Sequence, residues 1–225
     1  MPRVTMSKAP DTLAPTRLVE FFDKTGPERL NGLDSSYFKD LTPDKRRAAW
    51  RFLEKDFEKS EDQIIGLYLL NPQAAIAAFK IELAKEREKS PYAATRSATE
   101  SCRVMMLQFV CAEQPSSEAI KHLASYCSSA FPNIRAKASQ ALPITPTSQE
   151  AVSALEGILF TETDRLALAS ATEKFLAIFG YKLDISDPTY KSLYLKLRGD
   201  DLAEKKRTIE YVKQSGSPVF LASNP

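Results

Sequence analysis

The chain has 225 residues, 43% of them hydrophobic, which is enough apolar material for a real core and excludes wholesale disorder. Lysine plus arginine number 31 against 29 acids, a net charge of +2, so no polyanion-binding field is implied. Glycine is scarce, 7 of 225 residues or about 3% where about 7% is usual, which argues against sheet-rich and phosphate-loop architectures and for a mostly helical protein.

Residues 1–14 are expected to be a short leader: Arg3 and Lys8 have no apolar run behind them, and Pro10 and Pro15 interrupt any early helix. Leu18, Phe21 and Phe22 predict a short helix after Pro15. Leu30, Leu33, Tyr37, Phe38 and Leu41 then predict an irregular helical cap, so that residues 15–41 cover the first full helix pair. From Thr42 onward, helix starts are marked by Ser, Thr or Asn followed by Pro or an acid. Thr42-Pro43-Asp44 opens a helix to about Lys59, and Ser60-Glu61-Asp62 caps a short one through Leu70. Asn71-Pro72 opens the next, in which Ile76, Phe79 and Leu83 recur at three- and four-residue spacing before the charged exit Lys85 to Lys89. After Ser90-Pro91 the stripe Ala98, Cys102, Met105, Phe109, Ala112 predicts one narrow apolar face.

Further helices are predicted over residues 115–129, 132–142, 148–160, 163–179, 188–197 and 200–214, with no sustained strand-like alternation. Gly180 and Gly216 stand where a left-handed helix-ending residue is commonly wanted. Residues 215–225 are expected to form a tail whose Val219-Phe220-Leu221 patch docks back onto the terminal helix, a partner-binding peptide being the alternative. The whole of residues 15–214 is thus expected to be one all-α domain of stacked antiparallel helix pairs, an irregular helical bundle being the alternative.

Segments recur at the period of paired-helix repeats. Ala75-Ile76 and Ala119-Ile120 lie 44 positions apart, and Ala151-Val152 follows 32 positions later. Each precedes a second helix with a basic residue near its start: Arg96, Arg135 and Arg165. The stretch from Pro132 to Leu142, PNIRAKASQAL, resembles the second helix of a HEAT repeat, and residues 163–176 and 90–107 are looser matches. The resemblance covers residues 42–180 and implies a short HEAT-like α-solenoid. Uneven spacing departs from the family pattern, as does the absence of a clear linking Asp in some repeats.

Chemistry is sparsely represented. Gly26, Gly32 and Gly66 are isolated, so no phosphate-cradling loop is present. His122 is the one histidine and lacks a marked nucleophile partner. Cys102 and Cys111 lie nine apart on opposite faces of one helix, so with Cys127 they are expected to be reduced core thiols of a cytoplasmic protein. Glu61-Asp62 and Asp200-Asp201 occupy helix starts, where capping explains them. No catalytic residue, cofactor or metal site is therefore expected.

A surface is the stronger candidate. Second helices of stacked pairs line one groove, into which Arg96, Arg103, Arg135, Lys137 and Arg165 would project for a partner protein; alternatively these side chains tie neighbouring repeats through Glu100, Glu162 or Asp164. Trp50, Tyr68 and Tyr92 are aromatic candidates for the same partner. The expected function is a non-catalytic protein-binding module. By its size and repeat style the chain resembles bacterial HEAT-like immunity proteins, which implies binding and neutralising a cognate toxin. The alternatives are a scaffold or adaptor, and a HEAT-like nucleic-acid-binding protein or DNA glycosylase. Against the last, residues 90–149 hold five basic residues and three acids, an excess of only two.

Overall fold

A computed structural model describes residues 15–24, 32–86 and 90–221. All regular elements among these residues are helical: α1 (Thr16–Asp23), α2 (Pro43–Glu54), α3 (Glu61–Leu70), α4 (Pro72–Leu83), α5 (Ala93–Glu113), α6 (Ser117–Ser125), α7 (Pro132–Ala141), α8 (Gln149–Thr161), α9 (Arg165–Ile178), α10 (Pro188–Arg198) and α11 (Leu202–Ser215), with short 3-10 turns at Ser35–Tyr37, Phe57–Lys59 and Tyr126–Ser128. No helix among them is long and apolar enough to cross a membrane. The sequence punctuation explains the starts. Thr42, Ser60, Ser116 and Ser148 each accept a hydrogen bond from the third residue beyond, while Asp164, Asp187 and Asp201 accept from the first-turn amides of α9, α10 and α11. The leader and the charged segment 87–89 lie outside the described residues.

The chain divides into two compact units, Met1–Ala77 and Ala78–Pro225, the division falling inside α4. In the first unit α2 packs on α3, and Gly66 permits the approach, since a Cβ there would lie 2.9 Å from Leu53 Cδ2. The helix expected to reach Lys59 stops at Glu54, because Asp56 takes a left-handed conformation (φ 59°) and a separate 3-10 turn follows. In the second unit α5 packs on α7 and α7 on α9, while α6 packs on α8. The last hairpin reverses this alternation: α10 lies on α9 and α11 on α8. A core runs through these helices, with Leu107, Ile120, Leu155, Phe175 and Tyr190 all nearly inaccessible.

Three expectations are corrected. The narrow stripe on α5 has the wrong phase: Ala98 and Ala112 are exposed and Met105 and Phe109 half-buried, whereas Cys102, Val104, Met106, Leu107, Val110 and Cys111 are buried. The cause is that α5 is covered on two sides, by α6 and by α7, so a wide arc is inside and both cysteines are buried despite opposite faces. Gly180 does end α9 at φ 90°, with Gly180 N–H donating to Ala177 (3.1 Å) and Tyr181 N–H to Leu176 (3.0 Å), the Schellman pairing. Gly216, by contrast, is extended at φ −98°, and it is required by space: a Cβ would stand 2.5 Å from the Phe179 carbonyl oxygen. Finally, the tail pairs with Thr147 in the loop between α7 and α8, forming a parallel bridge at Phe220.

Candidate protein-binding face

The starts of α5, α7 and α9 are built alike. Two residues before each N-cap, a side-chain oxygen accepts from the amide of the N-cap residue: Ser90 Oγ from Tyr92 (3.3 Å), Ser129 Oγ from Phe131 (3.2 Å) and Glu162 Oε1 from Asp164 (2.8 Å). Arg96 and Arg135 then fold back six residues to donate to the carbonyls of Ser90 (3.1 Å) and Ser129 (2.8 Å). The third start has Leu168 where the first two have arginine.

These starts are also tied to one another. The Arg96 guanidinium lies 5.9 Å from the centre of the Phe131 ring, and Ser129 Oγ donates to Glu100 (2.5 Å). Arg135 grips Glu162 with two bonds, at 2.5 and 2.8 Å, on a carboxylate whose side chain is only 3% exposed. That arginine, with the amides of Asp164 and Thr163, holds the Glu162 carboxyl below its ordinary range. Arg135 therefore ties α7 to the start of α9 through an acid.

Along α7 a second set of bridges crosses to its neighbours. Asn133 Nδ2 donates to Ser97 Oγ (3.2 Å) and Lys137 Nζ to Ser101 Oγ (3.0 Å), both on α5, while Gln140 Nε2 donates to Ser170 Oγ (3.0 Å) on α9. Asn133, Lys137 and Gln140 stand at i, i+4 and i+7, so they share one side of the helix.

The remaining candidates are dispersed. Arg96 and Arg103 are seven apart, yet the Arg103 guanidinium goes elsewhere, to the carbonyl of Leu83 at the end of α4 (2.7 Å) and to Tyr126 Oη (3.1 Å). His122 stacks on Tyr126, and burial with the nearby Arg103 charge lowers its pKa. Arg165, at the first position of α9, is exposed, and Tyr92 at the start of α5 is 73% exposed. Trp50 and Tyr68 are half-buried and belong to the first unit.

A concavity of about 470 Å³ lies beside the Arg135–Glu162 pair, lined among others by Cys127, Ser128, Gly157 and Thr161. Burial pushes the Cys127 and Cys111 thiols up to about 11, so neither supplies a thiolate at neutral pH. Among the described residues no group of three or more His, Cys, Asp or Glu side chains could hold a metal ion.

Ser97, Ser101, Asn133 and Gln140 escape a reading of the sequence, because they carry no charge and follow no periodic signal. The helix starts do leave a trace there: the spacing Ser-x-aromatic-x-x-x-Arg occurs at Ser90, Tyr92, Arg96 and again 39 positions later at Ser129, Phe131, Arg135. Comparison with protein-family models, curated proteins and solved structures gives no match.

Proposed function

We propose that the chain is a non-catalytic protein-binding module, organised as a short HEAT-like solenoid, whose partner docks across α5, α7 and α9. The observation that supports this most is the repeated helix start: the same serine turn and back-folded arginine recur 39 residues apart, and the third start keeps the turn with Glu162. Repeating starts set parallel helices side by side, and side-by-side helices make an extended face rather than a pocket. The serine, asparagine and glutamine bridges across α7 give that face a fixed polar lattice, rigid before any partner arrives. Tyr92 and Arg165, exposed at the helix starts, are the side chains free to anchor a partner. Neutralisation of a toxin is the specific form of this function that the resemblance to HEAT-like immunity proteins implies. Arg103 and Arg135 are engaged by carbonyls, Tyr126 and Glu162, which weighs against a nucleic-acid channel.

The test is affinity capture from the native cell with the wild-type chain and with a Tyr92→Ala/Arg165→Glu variant, followed by sedimentation of any purified complex. The expected result is one protein in fixed stoichiometry, lost in the variant at an unchanged melting temperature, whose toxicity on expression is suppressed by the wild-type chain. Capture of no protein, or equal capture by both forms, overturns the proposed face.

A further inference from the structure

The segment after α11 is held as an extended strap. Gly216 crosses the end of α9 against Phe179, in a gap that has no room for a side chain. Thr147 N–H then donates to the Val219 carbonyl (2.9 Å), and Leu221 N–H donates to the Thr147 carbonyl (2.9 Å), so one residue of the α7–α8 loop pairs with both of its backbone groups. This is the one strand-like pairing among the described residues. Leu221 packs against the core, while Val219 and Phe220 stay 54% and 43% exposed. Thr147 itself is fully buried, and its Oγ1 has no hydrogen-bond partner. Next to it, Ser148 caps α8 through Ala151 N–H.

We propose that residues 217–221 are a releasable strap occupying, in cis, a strand-pairing site at Thr147, and that this site accepts an extended peptide with an aliphatic side chain at the Leu221 position. The anchorage is two backbone hydrogen bonds and one apolar side chain, far less than any helix of this unit commits to the core. Attachment to the same chain is what keeps the strap seated, because a tethered ligand acts at high effective concentration. Opening strips a buried N–H and C=O of their partners, and buried backbone groups require replacement. An extended peptide supplies both in the register the strap displays, as in strand addition generally. The strap crosses the C-terminal end of α9, whereas Tyr92 and Arg165 stand at helix starts.

Native-state hydrogen exchange on the unmodified full chain is the first test. Thr147 and Leu221 amides are expected to exchange at one common rate, at least about a hundredfold faster than those of Leu155 and Leu176 in α8 and α9. Exchange at the rate of those core amides overturns the strap. Next, full-length Leu221→Asp is titrated with a capped synthetic peptide of residues 216–221. The expected result is return of the Thr147 amide resonance to its wild-type position, with no response to a peptide carrying Asp at the Leu221 position. If the variant fails to fold, the peptide is added to the wild-type chain, where faster exchange of the Leu221 amide is expected. No response at millimolar peptide overturns the peptide site.

Discussion

Arg46, Arg103, Lys174 and Lys205 act in the same way, each donating to a carbonyl at the end of another helix: Leu70 (3.3 Å), Leu83 (2.7 Å), Leu142 (2.6 Å) and Leu159 (2.7 Å) respectively. Helix C-termini carry unpaired carbonyls and partial negative charge, so a cation there meets both needs. Burial lowers the pKa of Lys174 and of Lys205, the Asp200 charge opposing it at Lys205. Arg135 differs from these four in that it also meets a full carboxylate, that of Glu162. Glu162→Gln is expected to cost about 2 kcal/mol at pH 7, the scale of a charge-assisted hydrogen bond lost, read by urea unfolding. The folded pKa of Glu162 lies below its unfolded value of about 4.3. Its stabilisation is therefore complete above that value and disappears as pH falls through the folded pKa. The difference between wild type and variant should be constant above about pH 5 and shrink as pH falls below the unfolded value of about 4.3; a difference that does not shrink at all as the folded protein is acidified would mean that the carboxylate charge is not its source.

At the scale of the helix, burial follows the number of neighbours rather than the ideal stripe. Met106 is fully buried on α5, whereas Phe109 is half-exposed and meets Phe79 at 6.2 Å between ring centres. Met106→Ala is thus expected to cost about 2–5 kcal/mol. Phe109→Ala is expected to cost about 1–2 kcal/mol, less than the 3–5 kcal/mol typical of a fully enclosed aromatic. Chemical denaturation of the two variants decides the order, and a larger loss at Phe109 would contradict the burial described. The start of α9 has its own measurable value. Asp164 accepts from two first-turn amides, both at 3.0 Å, so Asp164→Ala should destabilise by about 1–2 kcal/mol and loosen amide protection in that first turn.

For the molecule as a whole, near-balanced charge and inwardly committed cations set the expected binding behaviour. With 31 basic residues against 29 acids there is almost no basic excess to meet phosphates, and Arg103, Arg135, Lys174 and Lys205 already donate to protein acceptors. Fluorescence anisotropy with a short DNA duplex should show no saturable binding at micromolar protein in about 0.15 M salt, where nonspecific affinities are about 10⁻⁴ to 10⁻⁶ M even for dedicated binders. Tight binding that falls steeply with salt would revive the nucleic-acid alternative and remove the case for a protein partner.

Helix class, number and starting points could be read from the sequence because they rest on local physics. A capping side chain reaches amides two or three residues away, and Pro and Gly act on their own φ, so Thr42, Ser60, Ser148 and Gly180 announce their roles without knowledge of the fold. The candidate basic residues could be named by the same means, but not their acceptors. Whether Arg135 faces a partner or Glu162, whether Met106 or Phe109 is enclosed, and where residues 217–221 lie all depend on groups 27 to 74 positions distant or on the side chains of adjacent helices. Those choices are made by packing, which assigns each helix its neighbours and so fixes which carbonyl lies within reach of which cation. The sequence by itself determined the helices; only their tertiary packing decided which of their charges are spent inside the protein and which stay on its surface.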